Sequence, residues 1–156
     1  MTWYLAVLII LVLTAFMEFV AWFTHKYVMH GFLWILHRDH HIRDGRKVEW
    51  NDLFALIFAV PSILLIYFGT RGGVLDFRFF MGVGIFIYGL LYFLFHDVLV
   101  HERIKLFGSV RSKYLKATVR AHMDHHKPRV QHNYGFLVAP MKYYREEFSK
   151  RKDVAN

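Results

Sequence analysis

The stretch WYLAVLIILVLTAFMEFVAWFTHKYVMH, residues 3–30, decides the fold. From Trp3 to Phe23 it is apolar apart from Thr14 and Glu18. A helix rises 1.5 Å per residue, so about 20 such residues span a bilayer core of ~30 Å. The run lacks the basic start and small-residue cleavage site of a signal peptide, and it is too long for one. It reads as a membrane helix. It ends on His25 and His30, so a membrane segment leads directly into a pair of metal-binding side chains.

Two further apolar runs follow. Leu53 to Phe68 is interrupted by Pro61 and Ser62 and is short enough to be partly re-entrant. Phe79 to Phe95 carries Gly82, Gly84 and Gly89, which allow close helix contact. A glycine-rich turn, Gly69 to Asp76, joins them. The expected fold is all-α: an integral membrane helical bundle of about three to four transmembrane helices, capped by a cytoplasmic histidine-rich region. The whole chain, 1–156, reads as a single domain.

Charge sets the orientation. Lys26, Arg38, Arg43, Arg46 and Lys47 lie in the first connector, and thirteen more Lys and Arg follow His101. The turn between the second and third runs holds only Arg71, with Arg78 at its edge. The positive-inside rule places the connector and the tail in the cytoplasm. This explains the net charge of +8 without nucleic acid. There is no cysteine, which excludes disulfides, thiolate zinc sites and an iron–sulfur cluster held by the chain itself. Any electrons must come from a separate protein. Beyond the third run, Leu106, Val110, Tyr114, Ala117 and Ala121 recur at helical spacing, predicting a cytoplasmic helix within Ile104 to Lys127. Met141 to Lys152 reads as a charged terminal helix with a solvated face and no chemistry.

Ten of the eleven histidines form four clusters. They are His25 and His30; His37, His40 and His41; His96 and His101; His122, His125 and His126. The order is H-x4-H, H-x2-HH, H-x4-H, H-x2-HH. Ten imidazoles exceed what one ion takes and suit two. Scattered surface or core histidines would not repeat a spacing twice. On a helix, H-x2-HH points its rings into one volume. H-x4-H does not, because five residues rotate by about 140°. Either the histidines sit at a helix end, as Gly31 suggests, or a π-bulge brings them together. Asp39 and Asp124 occupy the same slot in each H-x2-HH. They are candidates to accept the outer imidazole N–H, the alternative being plain solvent exposure. Glu18 is a carboxylate inside a membrane run two turns before His25, either functional or bound to a hydroxyl. Asn133 and His132 are weaker candidates, and Asp97 is ambiguous. An all-imidazole set is compatible with iron, zinc or copper.

Five segments carry a resemblance: THKYVMHG (Thr24–Gly31), EWNDLFAL (Glu49–Leu56), YGLLYFLFHDVLVHER (Tyr88–Arg103), RAHMDHH (Arg120–His126) and YGFLVAP (Tyr134–Pro140). Over roughly Met17 to Pro140 the chain resembles the membrane-bound non-haem di-iron hydroxylases and desaturases of the fatty acid hydroxylase superfamily. It is closer to one branch, the bacterial β-carotene 3-hydroxylases. The resemblance implies hydroxylation at C3 of the β-ionone rings, giving β-cryptoxanthin and then zeaxanthin. It implies two iron ions, with zinc able to enter the same cage on purification, and O2 as cosubstrate. It maps the ten histidines onto the family's ligands. The implied partners are β-carotene and related β-ring carotenoids, a ferredoxin-type reductant and the lipid bilayer of a bacterial cytoplasmic membrane, with no nucleic acid. The first alternative is a fatty acid or sterol hydroxylase or desaturase of the same superfamily. A more remote one is a membrane metal transporter, which would set polar ligands along a route near the bilayer midplane. The enzyme readings require the clusters to meet at one end of the helices, beside an apolar tunnel open to lipid. Phe16, Phe19, Trp22, Phe86, Tyr92 and Phe93 are candidates to line it.

Overall fold

The computed structural model describes residues 2–42, 48–106, 108, 110–127 and 132–150. Arg43, Arg46 and Lys47, used above to orient the chain, lie outside them. Helix α1, Trp3–Phe23, continues without a break into a π-helical segment, Thr24–Phe32. Helix α2 is Trp34–His41, and a 3₁₀ turn at Trp50–Asp52 leads into α3, Leu53–Thr70. Helix α4, Phe77–Tyr92, passes into a second π-helical segment, Phe93–Val100. Helices α5, Lys113–His125, and α6, Met141–Ser149, complete the chain. Among the described residues there are no strands.

Three continuous stretches, Trp3–Phe32, Trp50–Thr70 and Phe77–Val100, are long and apolar enough to cross a membrane. The second is one unbroken helix through Pro61, so the partly re-entrant alternative falls away. Small residues set the packing of the three. A Cβ at Gly69 would collide with the backbone of Phe79, and one at Gly82 would press on the Ser62 carbonyl. The Ser62 hydroxyl donates to the Gly82 carbonyl at 2.8 Å. On the other side of α4, Gly84 lies against Ile10 and Leu13, and Thr14 donates to its carbonyl at 3.1 Å. Without bulk between them, the backbones approach closely, as membrane helices do where lipid gives no hydrophobic drive. Helix α4 is thus the centre, with α1 and α3 on either flank.

The last two helices differ from expectation. Helix α5 starts at Lys113, not near Ile104. The chain leaves the second π segment through Glu102 at φ 50, with the Arg103 N–H on the Asp97 carbonyl at 2.9 Å. That turn interrupts the helical periodicity, and Ser112 caps the restart. Helix α6 is not merely solvated. Tyr143 and Glu147, four residues apart on one face, are buried against α5. Arg120 bridges to Glu147 at 2.8 Å and also pairs with Glu146. Ala117, Ala121, Ala139 and Tyr143 form a small core there, distinct from the core of Met17, Ala21, Tyr88 and Phe136.

Candidate metal centre

Both H-x4-H pairs lie in the π-helical segments. A π turn brings i and i+5 onto one face, where an α-helix would swing them apart. Gly31, at φ −98° and ψ −122°, then breaks the first segment and lets α2 fold back.

All ten clustered histidines meet in one region, as two groups. His25, His30, His37, His41 and His125 hold their candidate ligand atoms within 4.8 Å of one another, and so do His40, His101, His122 and His126. His96 adjoins the second group, its Nε2 3.0 Å from that of His40. Each H-x4-H pair serves one group. Each H-x2-HH is divided: the outer pair, His37 with His41 or His122 with His126, stays on one side, and the middle residue crosses to the other. Helical geometry accounts for this. Residues four apart differ by about 40°, while adjacent residues differ by about 100°, so His40 and His125 lean away from their neighbours. The expectation of three rings in one volume is therefore refined to two volumes side by side. They touch, with the rings of His41 and His126 stacked at 4.3 Å.

Within each group the Nε2 atoms face inward. The separations are 3.1 Å for His25 and His37, 3.1 Å for His41 and His37, 2.9 Å for His30 and His125, and 3.0 Å for His122 and His126. The Nδ1 atoms face outward to oxygen. His25 donates to the Tyr134 carbonyl at 2.9 Å and His125 to the His132 carbonyl at 2.8 Å. His37 meets the Asn51 amide oxygen at 2.6 Å and His40 the Glu49 carboxylate at 2.9 Å. His96 lies 3.5 Å from Asp97. An acceptor on Nδ1 fixes the proton there and leaves Nε2 as a lone pair. The cage thus presents converging lone pairs, the donor set a cation requires.

Burial keeps the rings neutral. It pushes His37 down to about 3 and His125 to about 4. Burial together with His37 takes His41 to about 2. His40 and His122 are driven well below the ordinary value by burial and by neighbouring imidazoles. Burial raises Glu49, with Arg103 opposing.

The four other candidates support the cage from further out. One Glu18 oxygen accepts the backbone N–H groups of Phe136, Leu137 and Val138 at 3.0, 3.0 and 3.1 Å, and the other accepts from Tyr88 at 2.8 Å. It anchors the loop that delivers the Tyr134 carbonyl and lays Phe136 over His25 at 4.8 Å. Asp39 accepts from the Trp50 N–H at 2.6 Å and so holds the segment bearing Glu49 and Asn51. Asp124 accepts from Tyr143 at 2.9 Å and Lys127 at 2.5 Å, tying α5 to α6. Asn133 sits at φ 65, a conformation asparagine tolerates, and donates to Ala121 and Tyr143. The side chain of His132 is exposed and only its carbonyl serves the cage. Sequence reasoning missed Glu49 and Asn51 as imidazole partners. Their signal was the polar EWND tetrad directly before an apolar run. The two carbonyls leave no side-chain signal at all.

An apolar cavity of about 430 Å³ adjoins the cage between α1, α3 and α4. Of the six aromatic candidates for a tunnel, Phe86, Tyr92 and Phe93 line it, and Phe16, Phe19 and Trp22 do not.

Residues 10–143 match the family model described as fatty acid hydroxylase. The chain is 43% identical over 143 residues to a β-carotene hydroxylase from Pantoea ananas, covering 90% of this chain and 81% of that one. It is 43% identical over 135 residues to a β-carotene hydroxylase from Pseudescherichia vulneris, covering 85% and 76%. A chloroplastic β-carotene 3-hydroxylase 2 from Arabidopsis thaliana is 36% identical over 127 residues, covering 80% of this chain and 42% of that one. No solved structure matches.

Proposed function

The chain belongs to the fatty acid hydroxylase family, and from that membership we propose that it is a hydroxylase of β-carotene acting at C3 of the β-rings, with two irons held by the ten histidines. The observation that carries the metal is the set of inward Nε2 lone pairs with their Nδ1 protons fixed outward. Five imidazoles on each side suit two ions. When bound, iron supplies the activation of O2 that side chains cannot perform.

The protein's own residues do the rest. Glu49, Asn51 and the carbonyls of Tyr134 and His132 orient the rings. Phe136 and Tyr92 form an apolar wall between the cage and the cavity and keep water from the reacting face. Each hydroxylation consumes O2, two electrons and two protons, and releases water. The chain has no cysteine for a cluster of its own, so a ferredoxin-type protein is the donor. Lys and Arg accumulate beside the histidine clusters, which argues for a cage on the cytoplasmic face of a bacterial inner membrane. The C4–H bond next to C3 is allylic and weaker. Attack at C3 thus depends on how the cavity seats the ring, an effect worth roughly 7–11 kcal/mol at best.

Expression in a β-carotene-accumulating bacterium tests this. The expected pigments are β-cryptoxanthin and then zeaxanthin. Unchanged β-carotene with newly hydroxylated fatty acids or sterols would favour the other substrates of the family.

A further inference from the structure

The cavity has an inner and an outer wall. The inner wall is aromatic: Phe136 stacks on His25 at 4.8 Å and Tyr92 on His96 at 4.7 Å, so one ring of the wall covers each histidine group. The outer wall is formed by Phe86, Gly89 and Phe93 of the α4 stretch and Ala55, Ala59 and Ile63 of α3. Each trio lies on one face of its helix. Phe86 and Ile63 are 60% and 63% exposed on the apolar outer surface of the helices.

Helices α3 and α4 diverge along their length. Near their connecting turn they touch backbone to backbone, at Gly69 with Phe79 and at Gly82 with Ser62. Two turns further towards the histidines, a Cβ at Gly89 would meet nothing within 4 Å. The gap therefore opens beside the cage and faces the hydrocarbon, not the aqueous end. Its polar end carries no loose charge: Asp52 and Asp97 are both held by Arg103, at 2.7 and 2.9 Å.

We propose that this gap is a lateral portal through which one β-ring, with the first part of its polyene, enters from the bilayer, and that Gly89 sets its width. The proposal rests on the carotene hydroxylase reading. The cavity is of the size that takes a small molecule or one end of a long one. A carotenoid dissolves in the bilayer core, so a sideways path spares it any passage through water. The polyene stays in lipid while the ring stops against Phe136 and Tyr92. The absent side chain at Gly89, opposite the small Ala55 and Ala59, leaves room for the ring's methyl groups.

The test uses the full chain in membranes with a size series, Gly89→Ala, Gly89→Val and Gly89→Leu. Conversion of β-carotene is expected to fall stepwise, with Gly89→Leu down about 10-fold or more, the usual cost of misfit in an apolar pocket. Iron content and folded yield should match the parent. Leu64→Phe, on the lipid face outside the gap, should keep the parental rate. Adding Phe86→Ala to Gly89→Leu should restore several-fold activity by reopening the gap. Quenching of tryptophan fluorescence by β-carotene in metal-free protein should weaken in Gly89→Leu in parallel. Parental conversion and binding in Gly89→Leu would overturn the portal. So would loss of iron together with activity that Phe86→Ala fails to rescue, since Gly89 would then serve packing alone. If the parent chain hydroxylates a fatty acid and leaves β-carotene untouched, the carotene reading fails first and the ring as occupant falls with it.

Discussion

His25 and His125 point their Nε2 atoms at each other across 3.1 Å, while both Nδ1 atoms are bound to main-chain carbonyls. A carbonyl only accepts, so each Nδ1 keeps its proton and two lone pairs meet at Nε2. A cation between them removes the repulsion. Purified active protein is expected to hold about two irons per chain by elemental analysis. His25→Ala or His125→Ala should lower the metal content and abolish hydroxylation. Zinc should fill the same nitrogens without supporting turnover. Full activity with a single ion would sink the two-metal reading.

Glu49 and Asn51 act on the metal through His40 and His37. Glu49→Gln and Asn51→Ala are each expected to weaken metal affinity by about 10–100-fold, the common cost of losing such a partner. Chelator competition on the purified protein measures this. Unchanged affinity in both would mean the rings are held by packing alone.

The two aspartates that look equivalent in sequence should behave differently. Asp39→Ala frees the Trp50 N–H and loosens the Glu49–Asn51 segment, so metal affinity should drop. Asp124→Asn weakens the link to Tyr143 and Lys127 and should cost about 1–2 kcal/mol of stability with metal content kept. Equal metal loss in the two variants would contradict the assignment.

Acid should destabilise the metal-free protein over a defined window. Histidine ordinarily titrates near 6.5, and in the fold His125 is held at about 4 and His37 at about 3. Between these values the unfolded chain binds protons that the folded cage refuses, so stability falls as pH is lowered from about 6.5 towards 3. Above pH 6.5 these rings are neutral in both states and contribute no slope. Melting temperature against pH in detergent reads this out. A flat profile from pH 7 to 4 would show that the rings are more solvated than their burial implies.

The spans were legible because lipid demands long apolar runs, and the histidines because their spacing repeats. The winding of H-x4-H was legible only as a choice, since spacing alone does not separate a helix end from a π turn. The partition of the rings was hidden: nothing in HRDHH says that His40 crosses to the other group until α5 lies beside α2. Glu18 was noticed for its cost in the membrane run, but its targets are three amides more than a hundred residues away. Such partners are set by tertiary folding and leave no local pattern. The early start given to α5 had a local cause, because the apolar spacing through Leu106 and Val110 mimics a helix that the turn at Glu102 prevents.

The π segment at Thr24–Phe32 also acts as a phase setter between α1 and α2. Each residue of a helix advances its direction by about 100°. Removing one residue between His25 and His30 would let the segment rewind as α-helix with both rings still on one side. Everything after Gly31 would then start from a different angle, and His37, His40 and His41 would turn away from α5 together. The count of residues between the first two histidines therefore governs where three others point. A chain with all ten imidazoles and one residue fewer would keep its composition and lose its cage.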